Sequence, residues 1–247
     1  MSVQAALAAG LLVALPFVAS AATAPGYRVG VASTGRDALL GGGESGWAGA
    51  QAFAWGPARY ETRFRALWSG DGLFLRFDAT DASPWHTMTK RDEHLWEEEV
   101  VEIFLDIDRS GHDYAEIEIS PGNVVCDVRM VSPSPNKQAD FDWNLEGLET
   151  RVLFSKDGAG KTTGWTATAF LPWTGFRSLP SAKSIALPPK PRDAWRFNVF
   201  RVKRPGGKAA PDAGAVKAAW SPPPGESFHM PEVFRDFVFA PRGEQAR

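Results

Sequence analysis

Hydrophobic and polar positions alternate along several short stretches of the chain, the period expected of strands with one buried face. Thr62 to Trp68 alternates, Ser69-Gly70-Asp71-Gly72 supplies turn chemistry, and Leu73 to Phe77 alternates again, which predicts a hairpin. Val100 to Ile107 places Val101, Ile103, Leu105 and Ile107 on one face and Glu102, Phe104 and Asp106 on the other. Tyr114 to Ile119 repeats the pattern, with Ala115, Ile117 and Ile119 inward and Glu116 and Glu118 outward. In Val124 to Val131 the apolar face is Val124, Cys126, Val128 and Met130, opposite Asp127 and Arg129. Arg151–Phe154, Gly164–Leu171, Trp195–Val202 and Val233–Phe239 are further strands. No long stretch has a helical period, and only Asp92 to Glu98 suits a single turn. This predicts an all-β fold, a single antiparallel β-sandwich of the immunoglobulin or jelly-roll kind.

Ser132–Asp142 and Pro205–Ala219, rich in turn-forming and small residues, read as long loops of functional length. No repeat or linker divides the chain, so residues 22–240 read as one domain and 241–247 as a frayed tail. The long apolar run lies at residues 5–22, is interrupted by Pro16, and closes on Ala19-Ser20-Ala21, a small-residue cleavage pattern. It is short and Ala-rich for a membrane span, although no Lys or Arg precedes it. Residues 1–21 are therefore expected to be an export signal. The mature protein would start near Ala22, in the periplasm or outside the cell, with no stable membrane insertion.

Composition narrows the function. With 27 basic and 29 acidic residues the chain lacks the positive field that a nucleic-acid partner needs. Its one cysteine, Cys126, excludes an internal disulfide and a cysteine-based zinc site. No nucleophile elbow, P-loop or dinucleotide fingerprint occurs, and His86, His94, His112 and His229 lack metal-ligand spacing. The acidic run from Asp92 to Glu102 reads as a solvated turn leading into a strand, because adjacent glutamates do not imply the opposed carboxylates of a glycosidase. The expectation is a protein that is not an enzyme. Asp106, Asp108 and Asp113 crowd one Gly-containing turn, an oxygen-rich arrangement that suits structural calcium.

Ten Trp against three Tyr leave aromatic surface to explain. Trp68 and Trp165, in alternating strands, belong to the core. Trp85 and Trp96 sit instead in polar segments ahead of the 100–107 strand. An indole ring beside carboxylates has the physics of sugar recognition: the C–H face of a pyranose packs on the ring, and polar groups pair with its hydroxyls. Glu102 would share a polar sheet face with Glu116, Glu118 and Arg129 if the three strands are neighbours.

In order along the chain, the landmarks Leu67 to Leu75, Asp81, Leu95 to Asp106, Tyr114 to Pro121, Gly164-Trp165 and Leu171-Pro172-Trp173 resemble carbohydrate-binding module family 9. Arg196 to Val199, Trp220-Ser221 and Phe228 to Phe234 extend the resemblance over most of the mature chain. It implies a β-sandwich that binds a polysaccharide or oligosaccharide without cleaving it, at glucan or xylan chain ends, with structural Ca2+ in characterised members. It also implies a clamp of two aromatic rings, at Trp96 and at Phe228, where the family's binders carry Trp. Glu102 matches the carboxylate that accepts sugar hydroxyls. Glu118 stands where those binders carry Arg, and Phe200 where they carry an amide. Glu118, Arg129, Asn198 and Arg201 are further candidates for polar contacts. Two other readings stand beside this one. One is a DOMON-like domain holding haem b through Met88 or Met230 and His86, His94 or His229. The other is an envelope sandwich that binds protein through the 132–142 or 205–219 loop.

Overall fold

A computed structural model describes residues 26–244, so the export signal expected at residues 1–21 and the last three residues lie outside it. Its strands, in chain order, are β1 (Tyr27–Val31), β2 (Ala52–Trp55), β3 (Thr62–Trp68), β4 (Gly72–Thr80), β5 (Val100–Asp106), β6 (Tyr114–Ile119) and β7 (Val125–Ser132). They continue with β8 (Gln138–Asp140), β9 (Glu149–Lys156), β10 (Thr162–Pro172), β11 (Ala194–Lys203), β12 (Val216–Ala219) and β13 (Arg235–Phe239). The helices described, Arg36–Leu40 and Trp173–Phe176, are each a turn or so long.

The strands form two layers joined by β1. One layer runs β8-β7-β6-β5-β11-β13-β1, with β12 also on β11; the other runs β1-β3-β4-β10-β9, with β2 also on β3. Tyr27 to Val29 pair with Phe237 to Phe239, after which Gly30 and Val31 cross to Leu67 and Trp68. Both of these pairings are parallel, so the sandwich is mixed, not wholly antiparallel as the hairpin-rich pattern predicted. A first strand that lies between distant partners has no tight turn to force antiparallel pairing.

The hairpin of β3 and β4 closes where expected. Ser69 N–H donates to the Gly72 carbonyl at 2.9 Å, and Asp71 N–H donates to Ser69 Oγ at 3.1 Å. Gly72 is required there, because a Cβ would stand 2.5 Å from the Leu171 carbonyl and from the Phe170 ring. Between the layers lies a core rich in aromatic rings. Phe64 of β3 meets Phe197 of β11 at 5.8 Å, and fully buried Tyr27 packs against both, as it does on Phe237. The Tyr27 hydroxyl donates to the Gln51 carbonyl at 2.6 Å and accepts from Ala66 N–H at 2.7 Å, which satisfies it despite burial. Trp68 and Trp165 are both in this core.

Four strands have no counterpart in the sequence pattern: β1, β2, β8 and β12. The last two lie inside the stretches read as long loops, 132–142 and 205–219. A separate apolar cluster covers the outer face of the β5–β6–β7 region and includes Phe104, Tyr114, Cys126, Val128, Met130 and Phe200. The apolar side of β7 thus faces away from the inter-sheet core.

Candidate functional site

Register brings three glutamates together on that outer face. Glu102 of β5 pairs directly with Glu118 of β6, and Phe104 pairs with Glu116. Like charges opposite one another in a ladder are unfavourable, yet Glu102 and Glu118 are 2% and 0% exposed. One oxygen from each of Glu102, Glu116 and Glu118 lies within 4.8 Å of the others. Burial, with the neighbouring carboxylates, holds Glu102 and Glu118 well above the usual carboxylate range. Burial pushes Glu116 up to about 7, against the pull of Glu118 and Lys137.

These side chains form the floor of a cavity of about 230 Å3. Its walls come from segments distant in sequence. Trp96 sits on a single 3-10 turn, Leu95–Glu97, stacked on His94 at 4.4 Å and flanked by Phe141 at 6.0 Å. Arg204 fixes that turn by donating to the Trp96 carbonyl at 3.1 Å. Phe228 stacks on Phe200 at 4.3 Å, so the phenyl group at 200 supports the wall. His229 lies flat on Phe104 at 5.0 Å, with Nδ1 3.1 Å from the Tyr114 hydroxyl, and burial lowers its pKa to about 3. It is a neutral imidazole at physiological pH. Lys137 and Phe141, beside β8, and Lys217 of β12 also line the cavity. The two segments read as loops therefore build its rim.

Trp96, Phe228, Glu102 and Glu118 are thus brought into one cavity. Three other candidates are placed elsewhere. Arg129 pairs with Ala115, on the opposite face of the sheet from the glutamates, and its Nε is 3.5 Å from both Asp113 and Asp140. The expectation failed because the apolar side of β7, not its polar side, accompanies Glu116 and Glu118. Asn198 donates to the Ser221 carbonyl at 2.7 Å and accepts from Ser221 N–H at 3.1 Å, which consumes its amide in holding the Trp220-Ser221 segment. Arg201 points into the sandwich and is 1% exposed, 2.9 Å from Asp81 and 3.7 Å from Glu99. Lys203 completes this buried quartet at 3.0 Å from Asp81 and 2.6 Å from Glu99.

The acidic run before β5 is not the solvated turn its composition suggested. Glu99 belongs to the quartet, while Glu98 accepts from the Thr87 and Met88 amides and the Thr87 hydroxyl. The turn expected to hold calcium does not bring its three carboxylates together. Asp106 accepts from Gly111 N–H and faces Arg196 at 3.0 Å, Asp108 accepts from Ser110 N–H, and Asp113 faces Arg129. Among the described residues, the acidic or imidazole groups that converge are the three glutamates of the cavity floor.

Sequence reasoning placed Glu116 on the polar face with Glu102 and Glu118 but gave it no contact with the sugar, and it left out Lys137, Phe141, Arg204, Lys217 and His229 from the sugar site. Glu116 was accessible from its two-residue spacing to Glu118, and His229 from its adjacency to Phe228. The lysines and Phe141 carry no pattern, since their strands are three and four residues long. Trp85 lines a neighbouring cleft and donates its indole N–H to the Arg204 carbonyl at 2.6 Å. Met88 and Met230, the haem ligands of the alternative reading, do not line the cavity.

A family model described as carbohydrate family 9 binding domain-like matches residues 45–236. An "Extracellular protein" of Arthroderma benhamiae is 27% identical over 189 residues, covering 72% of this chain and 78% of the relative. Among solved structures, a Bacteroides uniformis protein to which carbohydrate binding is ascribed superposes with a TM-score of 0.65 at 14% identity. It covers 87% of this chain and 99% of its own. A family 9 carbohydrate-binding module of Caldicellulosiruptor kristjanssonii in complex with cellotriose follows, with a TM-score of 0.59 at 13% identity over 90% of this chain and 96% of that one.

Proposed function

The chain belongs to the carbohydrate family 9 binding domain-like family, and from that premise we propose that its cavity binds the end of a glucan or xylan chain without cleaving it. The observation that carries this reading is the pairing of two cavity-lining rings, Trp96 and Phe228, with the carboxyl groups of Glu102 and Glu118 on the floor. The rings take the apolar faces of a pyranose, and the carboxyl group of Glu102 takes its hydroxyls. The cellotriose and glucose held by the Caldicellulosiruptor modules support the same class of ligand.

Hydrolysis is disfavoured by geometry. A glycosidase sets its two carboxylates across the scissile bond, about 5–5.5 Å or 6.5–9.5 Å apart. Here all three project from one face of the adjacent strands β5 and β6, on the same side of any bond held in the cavity. Residues 22–240 would form the exported binding domain, a reading that the extracellular relative supports.

A glycan array read with the wild-type protein and with Trp96→Ala and Phe228→Ala tests the proposal. Binding to β-glucan or xylan oligosaccharides is expected, and losing either ring should cost about 1–3 kcal/mol, roughly 5- to 150-fold in Kd. Folded variants with unchanged affinity would refute the clamp.

A further inference from the structure

Eight acidic side chains are buried among the described residues: Asp81, Glu98, Glu99, Glu102, Asp106, Glu116, Glu118 and Asp127. Outside the cavity, each has partners that suit a carboxylate. Asp81 and Glu99 share Arg201 and Lys203, and Glu98 accepts from two amides and a hydroxyl. Asp106 has Arg196 and the Gly111 amide, and Asp127 has Arg91 and the Leu145 amide. The cavity floor breaks this rule. No Lys or Arg of the described residues forms an ion pair with Glu102, Glu116 or Glu118; the one basic neighbour at that range is the His229 ring, 3.9 Å from Glu116. Neither oxygen of Glu118 meets a donor other than the neighbouring Glu116 carboxyl group, and Oε1 of Glu102 meets none, although these atoms are wholly buried.

We propose that Glu102, Glu116 and Glu118 bind a calcium-sized divalent cation at the floor of the cavity. Two observations carry this independently. The first is convergence: one oxygen from each carboxylate lies within 4.8 Å of the others, and an ion bonded at 2.3–2.6 Å bridges oxygens up to about 5 Å apart. The second is the unmet valence of Glu118 and Glu102, which border the cavity and not the core. An all-oxygen, all-carboxylate set favours a hard cation such as Ca2+ over a soft transition metal. Buried anions without a partner are costly, and a cation supplies what the other buried acids among the described residues obtain from a neighbouring cation or hydrogen-bond donor. Three protein ligands leave several of calcium's six to eight positions facing the cavity. If the sugar reading is right, vicinal hydroxyls of the ligand would occupy two of them; the cation site itself does not depend on that reading.

Terbium reads the site directly, because Trp96 lines the same cavity and transfers excitation to a lanthanide nearby. The purified full chain, stripped with a chelator and dialysed, is titrated with Tb3+ under excitation at 280 nm. Saturable one-to-one emission that Ca2+ displaces is the expected result. Glu118→Gln and Glu102→Gln should each weaken Tb3+ binding at least tenfold, and the double variant should abolish it. Asp108→Asn, on the exposed turn, should leave it unchanged. Trp96→Phe should dim the emission at saturation, which localises the ion near that ring. Absence of saturable emission, or equal binding by the glutamine variants, overturns the proposal whether or not sugar binds. Near-UV circular dichroism confirms the fold of each variant; should Glu118→Gln not fold, Glu102→Gln and Trp96→Phe carry the comparison alone.

Discussion

At the scale of single residues, burial and pairing assign opposite consequences to carboxylates that look alike in sequence. Asp81 and Glu99 share two cations inside the sandwich, and deleting one member strands the others. Asp81→Ala should cost about 3–5 kcal/mol in urea denaturation. Arg28→Ala, which breaks a half-exposed pair with Glu244, should cost less than about 1 kcal/mol. Burial raises Glu99 to about 7 even beside its two cations. The floor glutamates are raised too, with no Lys or Arg ion pair to offset it, so their folded pKa values lie above the ordinary 4.3. In the unfolded chain they ionise above that pH, while the folded protein keeps its protons. Folding then takes up protons at these groups, so their own contribution to stability is fully present below about pH 4 and declines as the pH climbs toward about 7, the value for Glu116. His229, Lys137, Lys217, Arg204 and Glu226 also face the cavity, so the contribution of the floor is isolated by difference. In chelator, the Tm of the wild type should fall more between pH 5 and pH 8 than that of Glu118→Gln. Equal slopes would show that the carboxyl groups do not hold their protons.

At the scale of elements, alternation proved a sharp guide to where strands lie and a blunt one to which side is inside. The patterns at 62–68 and 114–119 coincide with β3 and β6 to the residue. Both faces of the β5–β6–β7 region are covered, however: one by the opposite sheet, the other by the second apolar cluster and the rim segments. A period of two specifies two faces and does not rank them, so Cys126, Val128 and Met130 were assigned to the wrong side and Arg129 to the site. Likewise β8, largely exposed, and β12, half-buried, lie at edges and need no apolar alternation, because a neighbouring strand supplies their hydrogen bonds. Glu102, Trp96 and Phe228 were legible through the family resemblance, whereas the rim that makes their surface a cavity was not.

At the scale of the whole molecule, the two layers depend on β1, which pairs with the last strand through Tyr27 to Val29 and with β3 through its final two residues. Phe237 anchors that junction, fully buried against Tyr27 at 5.7 Å and Phe197 at 4.6 Å. Phe237→Ala should destabilise the fold by about 3–5 kcal/mol in urea denaturation. A loss below about 1 kcal/mol would mean that the junction is held elsewhere. The arrangement also sets an order of events. A chain emerging amino-terminus first from a ribosome can join Gly30 and Val31 to β3 early, but must hold Tyr27 to Val29 in reserve until β13 arrives. Pairings so distant in sequence form slowly, which makes joining the two ends the final act of assembly and leaves any prematurely ended copy unlatched.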